Sequence, residues 1–519
     1  MEAAEHYALA VDLGTGGPKV GLVSLTGRLA AFEHLRVETR VTPDGGAEQD
    51  AGEWWELITG AARRAITSGV VPADRIRAVA VAGQWASRVP VDADGNPVGP
   101  CVMWMDTRGR RHSRELVGGP IAGFDPRKLV PWVRRSGGIP TPDGADPVSH
   151  LLYLQRDRPE ITAAARWFLE PVDYLTMRFT GRAVATPASM LAAWLTDNRD
   201  LSRPPGYDDV LVKLAEVDRA RLPPLVATGS LVGPVRDDVA SELGLPAGVQ
   251  VVTGVPDLHA ATVGAGAADL YEPHLSISTT GWISCPLPRK KTDPLRAMAS
   301  VPGIGDGRYV LANSIDTAGV CLEWARLALG GGDYPQLLAE AATAPPGAAG
   351  VVFTPWLGGT RSPAEDRSAR AGWHGMSLQT TRADLIRAVL EGVALHARWL
   401  HEAVEKFAKR RLEPIRIVGG GAQSDLWCQI HADVLGRTVE RVEDPASAIL
   451  RGAALLAGVA LGEVERGDLR DLVSVDRVIR PDPATRATYD RLFAELPRLH
   501  KAQRGMSGRL RTADADQSW

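Results

Sequence analysis

The sequence predicts an α/β protein laid out as two similar halves, and three observations carry that expectation. Strand-like and helix-like segments alternate along almost the whole chain. An apolar strand that runs into a Thr/Gly turn and out into a second strand occurs twice, at Val11 to Lys19 and at His274 to Trp282, as if both halves followed one plan. At 519 residues the chain is too long for one ordinary core, so two large domains are the natural division.

The β-favouring run Tyr7 to Leu13 enters Gly14-Thr15-Gly16-Gly17-Pro18-Lys19, and a second run, Val20 to Leu25, leaves it, which gives a hairpin. A third strand is expected over 30–41, ended by the turn signal Thr42-Pro43-Asp44-Gly45-Gly46. Trp54, Leu57, Ile58, Ala61 and Ala65 recur at helical spacing, so 52–67 reads as a helix. Ile76 to Ala82 is mostly apolar and suits a buried parallel strand. Strands at 89–91 and 98–104 flank the turn Asp94-Gly95-Asn96-Pro97. From about 120 to 248 the chain is richer in proline, with helices expected at 146–156 and 159–168; it reads as an insertion forming one wall of a cleft.

The second half is expected to open with an apolar strand at 249–255, followed by Pro256-Asp257. The small-residue run at 260–268 suits a helix packed very close to other backbone. After the second hairpin come a strand at 309–312, a helix at 320–329, a strand at 351–355 and a long helix at 382–409. A strand at 414–418 then runs into Gly419-Gly420-Gly421 and another helix. The tail after about Thr512 is polar and expected to be disordered. The expected domains are 1–248 with its insertion, 249–480, and a C-terminal helix with a polar tail at 481–519.

Hydrophobic residues make up 45% and charged residues 23% of the chain, the proportions of a soluble globular protein. A net charge of -3 argues against a general nucleic-acid binder, while local sites can still take small anions. Cys101, Cys285, Cys321 and Cys428 are far apart and show neither zinc spacing nor a disulfide framework, so a reducing, cytoplasmic setting is expected. The acidic start Met1-Glu2-Ala3-Ala4-Glu5 lacks the pattern of a signal peptide. No apolar run approaches the ~20 residues that span a bilayer, so no membrane partner is expected; Ala453 to Leu461 reads as a buried helix.

The opening hairpin carries the first chemical signal. Its glycines let a phosphate approach bare backbone N–H groups, Thr15 adds a hydroxyl, Lys19 a charge, and Asp12 can hold Mg²⁺ directly or through water. A plain glycine hairpin is the alternative; Walker A and Rossmann orders are both absent. Gly419-Gly420-Gly421 is a second place for backbone to meet a ligand, or a tight strand-to-helix turn. Asp257 follows a strand and a proline and can serve as general base on an alcohol, as a helix N-cap, or as both, while His259 reads equally as a packed surface histidine. Trp104-x-Asp106-x-Arg108 puts an aromatic and two charges on one face of an extended strand end, which suits a polyhydroxylated sugar but equally an ordinary Asp–Arg pair. H-E-x-x-H, G-x-S-x-G and a complete EF-hand loop do not occur.

With these residues in view the chain resembles the FGGY family of carbohydrate kinases, and within it the xylulokinases, from Leu9 to about Arg498. Asp12 to Lys19 resembles the first phosphate motif, and Glu48-Gln49-Asp50 before Trp54-Trp55 the E-Q-D-x-x-x-W-W run. Gly83-Gln84 and Trp104-x-Asp106-x-Arg108 are similar to the sugar-site segments, Asp257 to the catalytic aspartate, and Gly419 to Gly436 to the adenosine segment. Ala371 to Glu391 fits the C-terminal signature at every position. Departures cluster on the sugar side: Trp85-Ala86 stand where Met-His is usual, Leu258 follows the aspartate, Ser278-Thr279-Thr280 replaces G-T-S, and His150 and Tyr153 replace Lys and Trp.

The resemblance implies two actin-like ATPase domains flanking a cleft in which ATP and sugar meet. It implies Asp257 as the catalytic base and Gln84, Trp85, Trp104, Asp106 and Arg108 at the substrate. Gly14, Thr15, Lys19, Thr279, Thr280, Gly420, Gly421 and Gln423 would hold ATP, with Mg²⁺ at Asp12. The expected reaction is ATP-dependent phosphorylation of a small sugar, a pentulose such as D-xylulose first. The alternatives are another polyol, a hexulose or a sugar acid, or a catalytically weak sensor of sugar or nucleotide. No nucleic-acid partner is expected, and there is room for a homodimer.

Overall fold

The computed structural model describes residues 5–121, 124–305 and 307–510. The expectations for the first four residues and for the tail beyond Thr512 lie outside the described residues.

The first lobe is built on strands β1 (Tyr7–Gly14), β2 (Gly17–Ser24) and β3 (Leu29–His34), helix α1 (Ala51–Thr67), and strand β4 (Ile76–Gly83). Further along the chain it adds α2 (Pro171–Thr180), β5 (Leu231–Pro234), α3 (Asp237–Leu243), β6 (Gln250–Val252), β7 (Val255–Pro256) and α4 (Asp257–Gly264). Its sheet runs β5-β6-β4-β1-β2-β3, with β7 also on β4. β1 to β3 are antiparallel neighbours, whereas β4 is parallel to β1, β6 and β7. Alternation sorts the side chains. Leu9, Val11, Leu13, Val79 and Val81 face a core shared with Trp54 and Ile58 of α1, Leu175 of α2 and Leu243 of α3. Ala8, Ala10, Ala78, Ala80 and Ala82 line the opposite face.

The second lobe repeats the plan with β8 (His274–Ile277), β9 (Gly281–Ser284), α5 (Gly319–Ala328), α6 (Arg382–Ala408), β10 (Ile415–Val418), α7 (Asp425–Leu435) and β11 (Val439–Val442). α8 (Ala448–Leu461), β12 (Val475–Ile479) and α9 (Arg486–Gln503) complete it. Its sheet order is β9-β8-β10-β11-β12, again a hairpin whose first strand has a parallel neighbour. α6 starts on a capping box of Thr381 and Asp384 and runs through the lobe's core. α9 packs into the same core through Tyr489, Leu492 and Leu496.

The lobes join through α4 and α8. α8 lies on the alanine face of the first sheet, where the small side chains admit it. Where α4 and α8 cross, a Cβ on Gly264 would stand 1.7 Å from the Ala448 carbonyl oxygen, and one on Gly452 1.8 Å from that of Ala260. The small-residue run at 260–268 therefore lies against bare helix backbone, as its composition suggested.

Four expectations are corrected. The strand at 249–255 does not open the second half: it pairs with β4, because its apolar residues complete the first sheet. Much of 120–248 is not insertion, since α2, β5 and α3 belong to the first lobe's sheet and core; only a separate cluster around Trp132, Leu151 and Leu211 stands apart. The helix over 159–168 stops at Ala164, and Trp167–Leu169 pairs with Val89–Val91, where its β-favouring side chains are better buried. The strand over 30–41 ends at His34, because Leu35 and Val37 donate instead to the carbonyls of Pro18 and Gly16 at the first hairpin. No helix among the described residues is long and apolar enough to cross a membrane.

Candidate active site

Three strand ends set the site. Leu13 pairs with Gly83, and Gly83 with Pro256, so β1, β4 and β7 finish at one level. The residues that follow each, Gly14, Gln84 and Asp257, emerge side by side at the carboxyl edge of the sheet, where open α/β sheets gather ligands. Alternation puts Asp12 on the alanine face, 3% exposed. Its register partner is Lys19, whose Nζ donates to Asp12 Oδ2 at 2.9 Å. His34, opposite Lys19 on β3, is lowered by burial and by the Lys19 charge.

Asp12, Lys19 and Asp257 share one electrostatic neighbourhood. Burial, and then the negative charge of Asp12, push the Asp257 carboxyl up to about 7. The Leu258 N–H, the Trp85 indole and the Lys19 charge pull the other way. Lys19 is raised by Asp12, against desolvation, and further by Asp257. Two carboxylates with one ammonium leave excess negative charge at the strand ends. That donor set fits Mg²⁺, which is commonly held by one or two carboxylates together with substrate phosphates. Among the described residues no group of three or more His, Cys, Asp or Glu side chains could hold a metal ion by itself.

Around this centre the substrate candidates divide. Trp85 donates its indole N–H to Asp257 Oδ1 at 3.1 Å, and Trp104 donates its own to Thr15 Oγ1 at 3.1 Å. Thr15 Oγ1 lies 3.4 Å from Gln84 Oε1, and the Thr15 carbonyl accepts from Gln49 at 2.7 Å. Gln84, Trp85 and Trp104 are thus gathered at the first hairpin and Asp257. The expected extended strand end at 98–104 is corrected: only Cys101–Val102 is strand, and Asp106 N–H closes a turn onto the Met103 carbonyl. Asp106 is fully buried, and its carboxylate accepts from the Ala47 N–H and from the backbone and guanidinium of Arg108. Arg108 also pairs with Glu48 and lies over the Tyr153 ring, while His150 bonds the Asp106 carbonyl. The Asp–Arg pair is therefore present, with its charges spent on each other and on Glu48. His259 is buried rather than on the surface: its Nε2 lies 2.7 Å from the Pro302 carbonyl, and burial lowers it to about 4.

The second lobe presents Ser278-Thr279-Thr280 at the turn between β8 and β9. The first N–H groups of α5 and its cap fasten this turn, with Gly319 donating to the Ser278 carbonyl at 2.7 Å and Ala318 to that of Thr279 at 3.0 Å. Gly419 has φ 94°, and a Cβ there would stand 2.5 Å from the Ile277 carbonyl, so the triple glycine docks directly on the end of β8. Gly420 and Gln423 are exposed, and a Cβ on Gly420 would meet open space. Thr279, Thr280, Gly420, Gly421 and Gln423 thus share one end of the second sheet, as the first hairpin and Asp257 share one end of the first. Trp282 of β9 and Leu258 and Ala261 of α4 lie in one apolar cluster, with Trp85 against it.

Sequence reasoning missed the support beneath Trp85. The Ser87 N–H donates to Glu170 at 3.2 Å, Glu170 is ion-paired with Arg88 where both are fully buried, and the Trp104 N–H donates to Ser87 Oγ at 2.9 Å. A separation of 82 positions between Arg88 and Glu170 hides that pairing from the sequence. Ser87 and Arg88, following Gly83-Gln84, were the only local signal.

Paired sheets with matching hairpins, a carboxylate at a strand end and a lysine-backed glycine turn are the features of an actin-like phosphotransferase. The sequence matches the N-terminal domain of the FGGY family of carbohydrate kinases at residues 7–264 and its C-terminal domain at 286–461. The chain belongs to that family, and carbohydrate phosphorylation is its class of reaction. It is similar to a xylulose kinase of Staphylococcus epidermidis, 26% identical over 516 residues, covering 98% of this chain and 99% of the relative. It is also similar to the L-xylulose/3-keto-L-gulonate kinase of Escherichia coli, 28% identical over 514 residues, 98% of this chain and 99% of that one. A crystal structure of xylulose kinase from Rhodospirillum rubrum superposes with a TM-score of 0.81 at 27% identity, covering 97% of this chain and all of the other.

Proposed function

We propose that this chain transfers the γ-phosphoryl group of ATP to a hydroxyl of a small neutral sugar or polyol, with a pentulose such as D-xylulose as first candidate. The observation that carries the proposal is the convergence of Asp257, Asp12 and Lys19 at the ends of β7 and β1. Asp257 accepts the hydroxyl proton, and the freed oxygen attacks the γ-phosphorus in line. A positioned base of this kind supplies ~10²–10⁴ in rate. Lys19, Thr15 and the backbone N–H groups of the two hairpin turns hold the triphosphate oxygens, and Gly420, Gly421 and Gln423 border the nucleoside. Asp12 would hold Mg²⁺, which when bound offsets charge on the β- and γ-phosphates. Approach of the lobes about α4 and α8 would exclude water, the competing acceptor.

Charge favours a neutral acceptor over a sugar acid. Asp12 and Asp257 share Lys19, so a further carboxylate on the substrate beside them meets like charge. The kinship with one relative named for two acceptors leaves the hydroxyl pattern to experiment. The test is a panel of ketoses, alditols and sugar acids with Mg-ATP, scored by product mass. Phosphorylation of a neutral member supports the proposal; ATP turnover with none, or only with sugar acids, would overturn it.

A further inference from the structure

We propose that Trp85 is the positioning residue for the acceptor-activating carboxylate: its indole N–H and the Leu258 backbone N–H together fix Oδ1 of Asp257 and leave Oδ2 to take the proton. The inference rests on Asp257 being the base. Both donors converge on one oxygen, Trp85 Nε1 at 3.1 Å and Leu258 N at 2.7 Å. Two donors from different directions prevent the carboxylate from swinging about its last torsion, so the second oxygen keeps a set direction toward the acceptor.

Trp85 is itself held by a constructed support. Ala86 has φ 64°, in the left-handed region that a residue with a Cβ adopts only when its surroundings impose it, and such strain clusters at functional sites. Directly after it, Ser87 is tied through its N–H to Glu170 and through its Oγ to the Trp104 N–H. Glu170 is in turn paired with Arg88, and both are wholly buried. The indole also packs against the cluster of Leu258, Ala261 and Trp282. A rigid, partly strained turn thus aims one N–H at one oxygen, which ordinary packing of a tryptophan would not require. In the transfer step the acceptor O–H bond breaks with its proton going to Oδ2. The acceptor oxygen–phosphorus bond forms, and the γ-phosphorus bond to the bridging oxygen breaks with its electron pair leaving on ADP.

The test replaces the indole N–H and keeps an aromatic ring. Trp85→Phe, and incorporation at this position of benzothienylalanine, an indole isostere with sulfur in place of N–H, are assayed with Mg-ATP and the best acceptor of the panel, D-xylulose being expected. We expect kcat to fall about tenfold in both, as for loss of one hydrogen bond to a charged group, with KM for acceptor and ATP within about twofold. An unchanged kcat in the isostere, or a raised KM at unchanged kcat, would overturn the assignment, since a plain packing or substrate contact predicts those results. Asp257→Asn separates the two claims. If it leaves turnover at the wild-type level, the base itself is misassigned. If it abolishes turnover while the isostere is fully active, only the role of Trp85 falls.

Discussion

Gly264→Ala puts the joint between the lobes to a sign-sensitive test. In an ordinary helix the change would stabilise by about 0.5–1 kcal/mol. Here the new Cβ would stand 1.7 Å from the Ala448 carbonyl oxygen and 2.9 Å from the Gly452 nitrogen, both backbone. Ordinary contact begins at 3.4 Å, so α4 and α8 must part by 3.4 minus 1.7, or 1.7 Å, unless the contact tilts. Overpacking of that kind costs about 1–3 kcal/mol. α4 begins at Asp257, so the same displacement reaches the base, and a misplacement of about 1 Å at the chemistry can cost roughly 10²-fold in rate. Thermal melting and steady-state kcat on one preparation measure both effects. Each glycine's Cβ would press on the helix carrying the other, so Gly264→Ala with Gly452→Ala should cost less than the sum of the two single changes. A Gly264→Ala protein that melts higher and turns over normally would refute the reasoning.

The other predictions concern charge. The Asp257 carboxyl is pushed up to about 7 and acts only when ionised, so kcat/KM should fall as pH drops through the neutral range and not wait until pH 4; a pH–rate profile shows which. Asp12 is the second-largest cause of that elevation, so Asp12→Asn should move the acid limb to lower pH while lowering the maximal rate. Glu170→Ala would leave Arg88 buried and unpaired, at a cost of about 3–5 kcal/mol in denaturant unfolding, whereas replacing both by apolar residues of similar volume should restore most of it.

Much of the fold was legible because periodicity and turn chemistry act locally. β1, α1, β4, the strand at Tyr309–Ala312 and α6 lie within a residue or two of where the pattern put them. What failed depended on partners far along the chain. Nothing in Val249 to Val255 says that it will pair with Ile76 to Gly83, and nothing in Trp167 to Leu169 says that a waiting strand at Val89 will outbid a helix. The signature that most clearly identified the family, Ala371 to Glu391, proves to be scaffold. Trp373 stacks with Trp324 and bonds the Leu385 carbonyl, and buried Glu391 joins Arg387 and Tyr489. At the site, the hairpin and Asp257 were legible because glycine, hydroxyl and carboxylate stand at strand ends. Asp106 was read as a sugar contact from alternation and from the family resemblance, neither of which could reveal that its carboxylate accepts from Ala47 and Arg108. Glu170 gave no signal, since its importance lies wholly in what it touches.

The most direct measurement is a single-turnover assay that follows the γ-phosphoryl group of ATP into product, wild type beside Asp257→Asn, with nucleotide affinity measured on both. The account predicts transfer to a neutral sugar or polyol by the wild type, and a loss of roughly 10²–10⁴-fold in the variant with nucleotide affinity retained. Transfer by Asp257→Asn at the wild-type rate would contradict it.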